Sequence, residues 1–346
     1  AELGYHEHAL RLEFDAWRGQ ADSPKKPFAK HQSQIARVTT RLEAFLDTID
    51  VSNVTASFET QETAYSHLLG VYRIWSYFRS KFMMRNDDRL CDVLRCADEL
   101  AWACYSPARE WAKCAEKIDV ERLKEPPLVF FSSDATPFAQ ARTSPFMPEG
   151  LSNRDITDFG DLILSLPVPV IGIPWFQLNH LPAIPVVAHE VGHAVESDFQ
   201  ITEPLKSLIS GLNIDPQRRK GWLHWRKEVF ADVYACICMG PAFLIALIDY
   251  LFGEMQEIEK EEQLSGHWKD YPTRTLRIML NLETLDRLGL LAHSGKPEEL
   301  MPFLEELCQT WNSIYPQRRM RPFEADIPTV VHALLEAQFD AFGNVA

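Results

Sequence analysis

The 346-residue chain lacks a covalent frame and any excess of basic charge. Its seven cysteines, Cys91, Cys96, Cys104, Cys114, Cys236, Cys238 and Cys308, are odd in number, and none forms a C-x-x-C pair. That pattern argues against a disulfide framework and for free thiols in a reducing compartment. The 35 Lys and Arg are outnumbered by 49 Asp and Glu, leaving a net charge of −14. Nucleic acid and anionic membrane both select for basic faces, so neither is expected as a main partner. Long uninterrupted hydrophobic runs are also missing. The stretch 162–188 carries no charge, but Pro167, Pro169, Pro174, Pro182 and Pro185 interrupt it. The stretch 233–248 is short and broken at Gly240-Pro241. Neither is suited to a membrane span. Residues Ala1 to Tyr5 have no basic or apolar leader character, so no signal peptide is expected. The expectation is a soluble, cytoplasmic protein.

What is present has the composition of an ordinary globular chain, 46% hydrophobic and 24% charged. Residues 1–125 read as a helical N-terminal region. Apolar residues recur at helical spacing in Leu10, Phe14 and Trp17, in Ile35, Val38, Leu42 and Phe45, in Leu68, Val71, Ile74 and Phe78, and in Leu94, Ala97, Ala101 and Cys104. Breakers stand at Ser23-Pro24, 50–53, 85–88 and Ser106-Pro107. The His6-Glu7-His8 triplet has the wrong spacing for a helical metal pair. Beyond Glu125-Pro126-Pro127 the character changes. Leu128 to Phe131 is a short β-like run, and residues 167–174 form a second one whose prolines suggest a sheet edge. Six helical stretches follow, near 185–199, 222–239, 241–261, 273–290, 297–315 and 327–342. The fold class expected is α+β, mostly α-helical, with a small β-sheet and a second domain over 126–346.

The chemistry begins at His189-Glu190-Val191-Gly192-His193. On a helix, positions i and i+4 share a face, so both imidazoles can reach one ion about 2 Å away. Glu190 can meet a water at that ion. Gly192 removes a side chain where another element can approach closely. A catalytic zinc takes three protein ligands, and Glu228-Val229-Phe230-Ala231-Asp232 supplies a candidate third in Glu228. Asp232, one turn on, can accept the N–H of a ligand imidazole and set its tautomer. Ala231 and Ala235 are small enough to let this helix pack against the first. Residues Val168 to Ile173, read as an edge strand beside a cleft, could pair with an extended peptide.

These residues resemble the gluzincin metallopeptidases, the thermolysin-like clan. The pattern is closest to the CAAX prenyl endopeptidase and HtpX group, with its H-E-x-G-H followed by E-x-x-A-D-x-x-A, and the likeness covers about residues 167–290. That group has a third element, His-Pro followed after four residues by Arg-Ile. Here Tyr271-Pro272 and Arg277-Ile278 keep the spacing, with Tyr in place of His. The resemblance implies a zincin-like metallopeptidase domain. It implies zinc on His189, His193 and Glu228, Glu190 as general base, Asp232 behind a ligand, and Arg277 and Tyr271 facing the active site. Members of the group carry transmembrane helices around these motifs, and no such helix is visible here, so prenylated substrates are not carried over.

The expected activity is hydrolysis of protein or peptide substrates by an endopeptidase, using zinc, an activated water and Glu190. The oxyanion needs a further donor, for which Tyr271, Arg277, His267 and His224 are candidates. Tyr271 has a surface-packing alternative, and Arg277 can instead pair with Glu283. His224 and His180 read as bystanders, and Cys236 and Cys238 as core. Arg218, Arg219, Lys220, Arg226 and Lys227 form a basic cluster around a loop and helix start. The helical N-terminal region is expected to bind substrate or a regulatory partner. The competing readings are a catalytically silent, zinc-stabilised interaction protein and a non-peptidase zinc hydrolase.

Overall fold

The computed structural model describes residues 2–22, 28–49, 57–118, 124–134, 136–140, 168–251, 271–291 and 321–344, with positions 159, 162 and 166. The expected helix at 297–315, His267 and Cys308 lie outside the described residues. Helices α1 (Glu2–Ala21), α2 (Gln32–Leu46), α3 (Phe58–Met83) and α4 (Cys91–Ala115) come first. Strands β1 (Leu128–Ser132), β2 (Phe138–Gln140) and β3 (Val170–Pro174) follow. The chain continues with α5 (Val186–Asp198), α6 (Thr202–Ser210), α7 (Pro216–Met239), α8 (Pro241–Leu251), α9 (Arg274–Arg287), α10 (Arg321–Glu324) and α11 (Ile327–Leu335). The protein is mostly helical with a small mixed sheet, as an α+β class requires. Among the described residues, no helix is long and apolar enough to cross a membrane.

The sheet order is β1-β3-β2, with β1 parallel and β2 antiparallel to β3. The expectation of β3 as an edge strand is therefore corrected: β3 is central, and the antiparallel edge belongs to β2. Pro167 and Pro169 precede the strand and Pro174 is its last residue, so no proline interrupts the ladder. All five β3 residues are buried, as a strand covered on both faces requires.

The two faces of the sheet serve different cores. Leu128 and Phe130 of β1 and Val170 of β3 join the apolar residues of α1–α3. Val129, Phe131, Ile171 and Ile173 point the other way, into a core shared with α4 and the later helices. This follows from the period of two along a strand. Helix α4, although N-terminal to residue 125, thus contributes to the core that carries the His-Glu motif. It also runs through Pro107, which was read as a breaker.

One buried polar cluster joins the layers. Arg85, just beyond α3, makes a two-pronged pair with Asp98 of α4, with Nη2 at 2.7 Å from Oδ1 and Nε at 3.2 Å from Oδ2. The same guanidinium donates to the carbonyls of Lys81 and Val129 and to His31 Nε2. His31 is held in turn by Gln34, with 2.6 Å between Nδ1 and Oε1. Every donor finds an acceptor close by, which burial of such a charge demands.

Candidate metal centre

Helix α5 presents His189 and His193 on one face. It begins after Pro185, and eleven of its thirteen residues are buried, so it is nearly enclosed by the core. Helix α7 crosses it at Gly192. A Cβ built on Gly192 would lie 2.8 Å from the Ala231 Cα and 3.2 Å from both its Cβ and its carbonyl oxygen. Glycine on one side and alanine on the other allow the backbones to meet, and this brings Glu228 over the two imidazoles.

Helix α7 also starts earlier than its apolar pattern suggests. The Pro216-Gln217-Arg218-Arg219 string, read as a basic loop, is its first turn. Asp215 caps that turn by accepting from the Gln217 and Arg218 amides at 2.9 and 3.2 Å, and Pro216 takes the first-turn position that suits proline. Most of the basic cluster is engaged internally. Arg218 pairs with Asp326, Arg219 donates to the carbonyls of Leu212 and Ile214, and Lys227 lies 3.6 Å from Glu196.

The three candidate ligand atoms converge. His189 Nε2 and His193 Nε2 are 3.2 Å apart. Glu228 Oε2 lies 3.2 Å from His189 Nε2, and Oε1 lies 3.4 Å from His193 Nε2. Two ligands about 2.0–2.1 Å from a tetrahedral ion are about 3.3 Å apart, so the triangle has the size such an ion needs. Glu228 Oε2 is buried without a hydrogen-bond partner. An orphaned carboxylate oxygen facing an imidazole nitrogen, with a second imidazole beside the same carboxylate, fits a cation. The group His189, His193 and Glu228 can hold a metal ion.

Behind His189 the arrangement continues into α9. Asp232 Oδ1 lies 2.8 Å from His189 Nδ1, off the ideal N–H direction. Proximity of that carboxylate favours a proton on Nδ1, which makes Nε2 the nitrogen available to an ion. Arg277 grips both Asp232 oxygens, with Nε at 2.8 Å from Oδ2 and Nη2 at 2.6 Å from Oδ1. Asn281 anchors the Arg277 carbonyl and is met by the Cys236 thiol. Burial disfavours charge on His189, but Asp232 and Glu228 outweigh it and push its pKa up to about 9. Burial also works against the Glu228 and Asp232 carboxylates. The two imidazoles hold Glu228 well below the usual range, and Arg277 does so for Asp232.

Glu190 is buried at 6% exposure, next to His189 in sequence. Arg277, expected to face the active site, grips Asp232 with two of its three nitrogens, so it positions His189 through that carboxylate. Its alternative partner Glu283 is taken by Arg287. Tyr271 is 58% exposed and stands at the entry to α9. His224 is exposed and lies outside the ligand group, and His180 pairs with Asp249 at 2.6 Å.

Sequence reasoning missed two participants. Phe243 of α8 stacks parallel to the His189 ring at 6.3 Å. Tyr250, near the end of α8, is raised in pKa by burial, with Glu190, Tyr271, Arg277 and Arg274 all close enough to act on its charge. No motif spacing links α8 to the His helix, so neither residue carried a signal.

No protein-family model matches the chain, and neither a curated protein nor a solved structure does.

Proposed function

We propose that the protein is a zinc-dependent peptidase of zincin-like build, with Glu190 as general base. The observation that carries this reading is the triangle of His189, His193 and Glu228, with the buried Glu190 next to His189 in the chain. Three protein ligands of this kind, two imidazoles and a carboxylate, are the set that leaves a catalytic zinc one open position. The side chains of His193 and Glu228 keep 18% and 15% of their exposure while His189 keeps 6%, so the site opens on their side. A purely structural site would be closed by a fourth ligand.

Zinc at this site would act as a Lewis acid on the scissile carbonyl and lower the pKa of water toward ~7. Glu190 takes the proton of the attacking water and passes it to the leaving amine. Asp232, held by Arg277, keeps the His189 ring turned so that Nε2 faces the ion. Strand β2 is one of the two outer strands of the sheet and packs against α5. An extended substrate backbone can add to that edge and lie across the site. Tyr250 and Tyr271 are the hydroxyls available to an oxyanion, because a phenol donates without adding permanent charge.

The test combines metal analysis with a peptide-library digest. Wild type and Glu190→Gln should each hold about one zinc per chain, and Glu228→Ala should lose it. Wild type alone should cleave, with activity abolished by a chelator and restored by zinc. Zinc retention with no cleavage of any peptide would overturn the peptidase reading in favour of a zinc-stabilised interaction protein. Hydrolysis restricted to small esters or amides would move it to a different hydrolase class.

A further inference from the structure

Helix α1 is apolar on two opposite sides. On the core side Leu10, Phe14, Trp17 and Ala21 are buried. On the other side stand Tyr5, Ala9, Leu12, Ala16 and Gly19, and all five are exposed. Tyr5 keeps 73% of its surface in water and Leu12 55%. A Cβ built on Gly19 would meet nothing within 4 Å, so this side of the helix is open. The five residues step by four, three, four and three positions, which is the spacing of a seam between two paired helices. A helix that packs only on its own protein needs one such side, with a polar face opposite.

We propose that the outer face of α1 is a self-association surface, on which α1 of a second copy of this chain docks antiparallel about a two-fold axis. The order of sizes along the seam selects this occupant and this direction. Bulky and small residues alternate as Tyr5, Ala9, Leu12 and Ala16. In the antiparallel pair, Tyr5 of one copy faces Ala16 of the other, and Ala9 faces Leu12. Each bulky side chain then meets an alanine, and the facing layers interdigitate. A parallel pair would set tyrosine on tyrosine and leucine on leucine, with gaps between the alanines. The flanks are complementary as well. His6 of one copy comes opposite Glu13 of the other, and His8 opposite Asp15, so no like charges meet beside the seam. Arg79 and Arg18 of the same chain hold Glu13 and Asp15 in place. From Tyr5 to Gly19 the seam is ~21 Å long. One helix pair of that length falls at the low end of interface sizes, so the dimer forms with rising concentration and dissociates on dilution. The proposal does not depend on metal binding or peptidase activity.

The experiment is analytical ultracentrifugation of the full chain from about 1 to about 200 μM. Each copy carries a net charge of −14, so the buffer holds about 0.15 M salt to screen their repulsion. The mass should rise with concentration from that of one chain toward that of two. Leu12→Glu should weaken association at least about tenfold with thermal unfolding unchanged, because residue 12 is exposed in the single chain. Ala9→Leu should weaken it too, by setting leucine against leucine, and the double variant Ala9→Leu with Leu12→Ala should restore it. Direction is read by replacing Tyr5 with p-benzoylphenylalanine, irradiating, and mapping the tryptic peptides. The antiparallel pair cross-links residue 5 to the peptide 12–18, which carries Ala16. A chain that stays monomeric throughout would overturn the proposal and leave this face to a different protein. Association indifferent to Leu12→Glu, or a cross-link from residue 5 to the peptide 1–11 of the other copy, would overturn it as well.

Discussion

At the scale of single residues, the centre is a chain of charges, each made tolerable by the next. Arg277 neutralises Asp232, Asp232 fixes His189, and His189 faces Glu228. Because Asp232 would act on a metal at the proposed site only through the imidazole, Asp232→Asn should lower metal affinity about 10- to 100-fold without abolishing binding, as read by competition with a chromogenic chelator. Arg277→Met should do more, because it leaves the Asp232 carboxylate buried and unpaired. We expect a loss of about 3–5 kcal/mol in denaturant unfolding together with weaker metal binding. A fall in stability with metal affinity intact would remove Arg277 from the arrangement behind His189. On the proposed peptidase function, Tyr250→Phe should leave metal content unchanged and reduce turnover, whereas a hydroxyl with no part in the reaction would leave both untouched.

At the scale of elements, what matters is how closely α5 and α7 approach. Gly192→Ala would place a methyl group 2.8 Å from the Ala231 Cα, which is backbone and has no rotamer by which to yield. The helices must part, and Glu228 must leave its place over the imidazoles. The expected outcome is a destabilisation of about 1–3 kcal/mol together with loosened metal binding. Asp215→Ala is the contrasting case. It removes a cap far along α7 from the ligand and should cost ~1 kcal/mol of stability with metal affinity unchanged. Gly240, at φ +56°, ends α7 in a conformation that a side chain resists, and lets α8 fold back so that Phe243 covers His189.

At the scale of the molecule, the sheet is the layer between two cores, and the Arg85–Asp98–His31 cluster fastens α2, α3, α4 and β1 together. Burial works to raise the Asp98 pKa, but His31 and the Arg85 guanidinium hold its carboxyl below the usual range. A carboxylate depressed in the folded state stabilises above its unfolded pKa of about 3.9, and that stabilisation is lost as pH falls through the folded value. Asp98→Asn should therefore destabilise the protein by about 3–5 kcal/mol at pH 7, since Arg85 is left buried with its charge uncompensated. The gap between variant and wild type should narrow as the pH is lowered below 4, as followed by unfolding at several pH values. A gap that stays constant or widens on acidification would contradict this account.

Much of the fold and the centre is visible in local pattern, because the forces involved repeat along the chain. Helical periodicity marks α1–α4 and most later helices, and i, i+4 spacing makes a candidate metal pair of His189 and His193 on whichever helix carries them. The spacing of Glu228 and Asp232 likewise puts a candidate ligand and its support on one face. Other features depend on contacts between residues far apart in sequence, which no local pattern encodes. β3 is central because β1 and β2, 42 and 32 residues before it, flank it at 128↔170 and 138↔172. Pro216 opens a helix because Asp215 supplies the missing acceptor. Arg277 faces Asp232 because α9 packs across α7. Tyr250 and Phe243 reach the centre only because Gly240 turns α8 back over it. The sequence alone was enough to name the candidate ligand residues; tertiary packing set their 3.2–3.4 Å triangle, since only helix crossing can bring side chains 35 residues apart to the spacing of a single ion.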